Sequence, residues 1–108
     1  MTNKNLYNIE GLEIISGKEI FEDILTTRTF RVERIISTNN CPSQDWMVQD
    51  WSELVFLLKG DATLEFADNS IIEMQEGDYC FIPKQLAHRV LKTNNSQTIW
   101  LAIHYEES

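Results

Sequence analysis

Two side chains stand out for chemistry, Glu53 and His88. A carboxylate and an imidazole can each bind a divalent metal and each carry a proton, and a free imidazole titrates near neutral pH. They occupy two apolar halves on either side of Asp68-Asn69. Glu53 begins the run ELVFLLKG, and His88 closes the run EGDYCFIPKQLAH. Each has a plainer alternative. His88 could be a hydrogen-bonded interior histidine. Glu53 could be a solvated carboxylate at a strand start, or could pair with a surface cation such as Arg89. A buried carboxylate is rare without a partner, so an inward Glu53 would be informative.

The two residues meet only if the intervening strands bring them together. Ser16 and Glu19 have the spacing of a capping box, with Ile15 and Ile20 placed as a hydrophobic staple. Ile20, Phe21, Ile24 and Leu25 then share one helical face, which predicts a short helix ending near Thr26-Thr27. From Thr29 the period changes to two, with Phe30, Val32 and Ile36 alternating with charged or polar residues. Asn39 to Ser43 is loop chemistry, and Ser43 to Ser52 is irregular, with Trp46 and Trp51 in a polar context.

Further strands are predicted at Glu53–Lys59, Ala62–Phe66, Ser70–Met74, Tyr79–Ile82, Ala87–Lys92 and Thr98–Tyr105. Gly60-Asp61, Asp68-Asn69, Glu76-Gly77-Asp78 and Asn94-Asn95-Ser96 separate them. About eight short strands with turns every eight to twelve residues describe a sandwich or a closed barrel.

The 108 residues fit one domain around one core, divided as an arm and helix over 1–27 and a barrel over 28–108. A net charge of −8 disfavours nucleic acid and anionic membrane surfaces as partners. No run approaches the roughly 20 apolar residues of a spanning helix. The first residues lack a basic stretch followed by an apolar core, so a cytoplasmic location is expected. Cys41 and Cys80 form no CxxC and are expected as reduced, partly buried thiols.

The spacings resemble those of a known family. Glu53, six residues and Gly60 match the second half of the first cupin motif. Gly77, five residues, Pro83, and His88 five positions on match the second. The resemblance covers residues 43–93 by motif and 28–105 by strand count. It implies a small single-domain cupin: an all-β double-stranded β-helix, a jelly-roll barrel, here with one short N-terminal helix. The chain also departs from the pattern. Where the family carries His-x-His ahead of the glutamate, this sequence has Met47 and Gln49, or Trp46 and Val48. Gln85 stands where the family usually has glycine.

Of the family's three histidines and one glutamate, only Glu53 and His88 carry over by position. Gln49 can offer an amide oxygen. His104 can supply a second imidazole if its strand turns it inward with Trp100 and Ala102, although Ile99, Leu101 and Ile103 compete for that face and a structural role is open. The set Gln49, Glu53, His88 and His104 would suit Zn, Mn, Fe or Ni and cannot choose among them.

Three functions follow from the resemblance. The first is a small-molecule enzyme of isomerase or lyase type. It would use either a divalent metal or the bare Glu53–His88 pair as its proton-handling group, in a mostly apolar pocket shared with Val55, Leu57, Leu86 and Val90. The second is a non-catalytic ligand-binding or sensing module. The third is a structural homodimer that buries Leu54, Phe56 and Leu58, and dimerisation is compatible with all three.

Overall fold

The computed structural model describes residues 3–15, 17–38, 45–93 and 97–107. Among the described residues eight strands follow one another: β1 (Glu19–Thr26), β2 (Phe30–Thr38), β3 (Ser52–Lys59), β4 (Asp61–Phe66), β5 (Ile71–Gln75), β6 (Tyr79–Ile82), β7 (His88–Thr93) and β8 (Gln97–Tyr105). They form a five-stranded sheet in the order β1-β2-β8-β3-β6 and a three-stranded sheet in the order β5-β4-β7. Every pairing is antiparallel. The fold is all-β, in the two-sheet layout of a jelly-roll barrel.

The predicted strands from β2 to β8 are present, with ends shifted by about one residue. Their turns form where glycine or asparagine takes a positive φ, at Gly60 (95°), Asn69 (72°) and Gly77 (90°). The loop residues 39–44 and 94–96 lie outside the described residues, and Cys41 with them. Cys80 is a free, half-buried thiol.

The expected N-terminal helix is not there; residues 19–26 are β1. Ser16, its proposed cap, lies outside the described residues. The run Ile20, Phe21, Ile24, Leu25 fits a helical stripe, but it also fits a strand with one bulge. A register shift between Asp23 and Leu25 places Ile20 opposite Ile36 and Leu25 opposite Val32, while Phe21 stays opposite Ile35. An isolated helix this short is marginal in water, whereas the exposed edge of β2 offers a ladder to a β-branched segment.

The core lies between the sheets. Val55 and Leu57 of β3, Ile82 of β6, and Trp100 and Ala102 of β8 meet Ala62, Leu64 and Phe66 of β4 and Met74 of β5. Burying these side chains at about 25 cal/mol per Å² supplies the main drive to fold. On the opposite face of the larger sheet, Ile36 and Ile99 are directly paired and buried. The N-terminal arm reaches that face: the Arg34 guanidinium donates to the carbonyls of Leu6 (2.9 Å) and Asn8 (2.8 Å), and the Tyr7 hydroxyl donates to the Leu58 carbonyl (3.3 Å). No helix among the described residues is long and apolar enough to cross a membrane.

Candidate functional site

β3 alternates inward Glu53, Val55 and Leu57 with half-buried Leu54, Phe56 and Leu58. That parity carries Glu53 into the interior, where it is 5% exposed. Its Cα partners are His104 on β8 and Ile82 on β6. Arg89, considered as a surface partner for Glu53, instead pairs with Glu65 at 2.7 Å and lies over the Trp46 ring.

His88 opens β7 in the other sheet, held in place from both sides. It pairs with Phe66 of β4 and forms a two-bond bridge with Met47. Its Nδ1 lies 3.1 Å from the Leu86 carbonyl, which can only accept, so Nδ1 carries a proton. In the neutral ring Nε2 then turns a lone pair toward Glu53 Oε1, 3.6 Å away. Glu53 Oε1 is buried and has no hydrogen-bond partner among the described residues. Two acceptors thus face each other across a gap that a proton or a donor group would fill.

His104 faces inward with Trp100 and Ala102, while Leu101 and Ile103 are half-buried on the outer face. Its Nε2 donates to Glu33 Oε1 at 2.9 Å and lies 4.0 Å from Glu53 Oε2, and its Nδ1 meets Gln49 Oε1 at 2.9 Å. Gln49 arrives on the segment that leads into β3, where its carbonyl accepts from the Gln85 amide (2.8 Å).

Glu33 was not expected from the sequence. On β2 the alternation Phe30, Val32, Ile36 suggests the inward face, yet the interior takes the other frame, with Glu33 and Ile35. The usable signal was a single parity shared by Arg31, Glu33, Ile35 and Ser37. Arg31 stands directly opposite His104, and its Nε lies 3.9 Å from Glu33 Oε2.

Electrostatics follow from this packing. Burial pushes the Glu53 carboxyl above its ordinary range. His104 and His88 oppose that rise, Glu33 adds to it, and Arg31 opposes it. Burial also raises Glu19, against the bond it accepts from the Ser37 hydroxyl (3.1 Å), and raises the Cys80 thiol, to which Glu53 adds.

Gln49, Glu53, His88 and His104 do come together, but not as a ligand set: His104 bonds Gln49 and Glu33, while Glu53 and His88 face each other at 3.6 Å. A divalent ion in a catalytic site needs about three protein ligands with free lone pairs. Both His104 nitrogens and the Gln49 amide oxygen are already engaged, which leaves one nitrogen of His88 and the carboxylate of Glu53. Among the described residues, no group of three or more His, Cys, Asp or Glu side chains is placed to hold an ion. As arranged, these residues do not fit the metal that the resemblance implies.

Glu53 and His88 border a cavity of about 50 Å³. Its wall includes Phe21, Met47, Val90 and Trp100, with Glu19 at one side. This is room for a few waters or for a group of several heavy atoms.

A polar site between the two sheets of an eight-stranded antiparallel barrel is the arrangement of a cupin-type fold. The cupin domain family model matches residues 41–104, and the chain belongs to that family. No curated protein matches it in sequence. Among solved structures it is similar to a candidate mannose-6-phosphate isomerase from Ralstonia eutropha JMP134. That match has a TM-score of 0.84 and 28% identity, covering 99% of this chain and 100% of that one. A cupin superfamily protein from Desulfitobacterium hafniense DCB-2 gives a TM-score of 0.76 at 14% identity, over 89% and 84%. The Cnp3 cupin domain of Schizosaccharomyces pombe gives 0.78 at 8% identity, over 94% and 73%.

Proposed function

We propose that this cupin binds a small molecule between its sheets and that Glu53 and His88 hold or move a proton on it, with no metal between them. The observation that carries this reading is the facing pair itself: His88 Nε2 and the unpartnered Glu53 Oε1, 3.6 Å apart beside the cavity. His88 is the candidate general acid or base, because its Nδ1 is held by the Leu86 carbonyl and its Nε2 is turned to Glu53. Glu33 and Gln49 act as positioning residues for the His104 ring, whose Nε2 lies 4.0 Å from Glu53 Oε2.

Phosphorylated sugars, suggested by the Ralstonia eutropha neighbour's name, suit this cavity poorly. It is small, and no Lys or Arg is among its described lining residues to balance a phosphate. A non-catalytic binding module is the second reading. It is favoured by the His104 ring, whose engaged nitrogens leave the pair without a third reactive group. A cytoplasmic location, with Cys80 kept as a reduced thiol, belongs to the same proposal. A homodimer through the outer face of the larger sheet completes the proposal.

Two measurements test the pair. In carboxyl-selective NMR, His88→Gln should raise the Glu53 titration midpoint, because His88 opposes the rise that burial causes, and Glu33→Gln should lower it. A Glu53 midpoint unmoved in both variants would remove the coupling on which the reading stands. Untagged protein incubated with excess Zn, Mn, Fe or Ni and then desalted should retain well below one equivalent. Stoichiometric retention that His88→Ala abolishes would restore the metal.

A further inference from the structure

We infer that the cavity selects a small amine, bound as its ammonium ion against Glu53. This rests on the reading of the cavity as a small-molecule site, and it names the ligand's chemical class.

Three observations carry it. First, the cavity wall has one sign of charge. Glu53 and Glu19 are its acidic members, and no Lys or Arg belongs to its described lining. The Arg31 guanidinium lies toward Glu33 at 3.9 Å and does not line the cavity. Second, Glu53 Oε1 is fully buried with no donor among the described residues, and the atom facing it, His88 Nε2, is an acceptor in the neutral ring. The missing component is therefore a donor, and an ammonium group brings up to three. Third, the rest of the wall is apolar and aromatic, with Phe21, Met47, Val55, Val90 and Trp100. Such a wall accepts a short alkyl body, and aromatic surface attracts ammonium groups.

Charge decides between classes. In a partly desolvated site an anion would meet two carboxylates and no Lys or Arg in the described wall, which is unfavourable. An alcohol would satisfy one acceptor and gain no ion pairing. An ammonium would gain both, and it would relieve the burial penalty that now holds Glu53 above its usual range. The cavity's size limits the bound group to a few heavy atoms, so a primary amine on a short chain fits.

The test uses the full-length chain and three matched probes, n-propylamine, n-propanol and propionate, at one pH and ionic strength. Binding is read from NMR shifts of the Trp100 indole N–H and the His88 ring. Propylamine should give saturable shifts at both residues and bind at least about tenfold more tightly than either other probe, a gap of about 1.4 kcal/mol. Glu53→Gln should weaken it at least about tenfold while the remaining spectrum stays dispersed. Equal or tighter binding of propanol or propionate would overturn the amine class and leave the small-molecule reading intact. Unchanged amine binding in Glu53→Gln would also overturn it. Silence from all three probes would overturn both.

Discussion

Glu53 couples the site to the stability of the whole chain. Its folded pKa is raised, so the unfolded chain gives up this proton more readily than the folded one. The contribution of protonated Glu53 is complete below the ordinary carboxylate range and is lost as pH rises through its folded value. Half-buried Glu19, also raised, adds in the same direction. Glu53→Gln removes the ionisation, and its amide can donate to His88 Nε2. Thermal denaturation should therefore show the variant melting several degrees above the parent at pH 7 to 8, with the gap closing near pH 4. An equal gap at both pH values would mean that burial does not raise this carboxyl. At this scale the sequence was readable where a motif frames the residue. Gly60 frames Glu53, and Gly77 with Pro83 frames His88. Glu33 was hidden because the apolar parity of β2, Phe30, Val32 and Ile36, lies on the outer face, and the inward face carries Arg31, Glu33 and Ser37 beside Ile35. The engagement of His104 depends on Glu33, and no local pattern predicts it.

At the scale of elements, the glycines that end β3 and β5 do different work. Gly60 and Gly77 both hold φ near +90°, a conformation costly to any other residue. A Cβ at Gly60 would also sit 2.9 Å from the Thr98 hydroxyl and 3.1 Å from the Gln97 carbonyl, whereas at Gly77 it would meet open space. Gly77→Ala should cost about 1–2 kcal/mol from backbone strain alone, and Gly60→Ala about 3 kcal/mol with the clash added. Urea unfolding of both variants checks the order, and equal losses would show that Thr98 yields. Gln85 makes a related point. It replaces the family's glycine yet keeps a positive φ of 68°, held by its amide bond to the Gln49 carbonyl and its side-chain bond to Asp50 (2.6 Å). Strands bounded by such turns were legible because glycine and asparagine mark the reversals. β1 was not, because a bulged strand and a helix can share one apolar spacing, and only the free edge of β2 decides between them.

Over the whole molecule, the outer surface of the five-stranded sheet is more apolar than a solitary chain of net charge −8 would need. Tyr79 and Phe81 of edge strand β6 are 69% and 48% exposed. Phe81 stands opposite Leu54, and Tyr79 stands opposite Phe56 and stacks near it at 5.5 Å between ring centroids. Leu101 and Ile103 of β8 continue the same face beyond β3. A second copy is the partner we propose, because a two-fold axis lets one such patch cover itself. A standard interface takes about 800 Å² from each partner, roughly a tenth of this chain's 7024 Å². Sedimentation equilibrium at tens of micromolar should give twice the 12.6 kDa chain mass, and Phe81→Glu should return it to one chain with its β-sheet circular dichroism intact. Added salt should tighten the dimer, since it screens the repulsion between two acidic copies while leaving apolar burial in place. A parent that sediments as a single chain at low and high salt alike would overturn the dimer. The cavity would be untouched by that result, because its wall belongs to the inner faces of one chain.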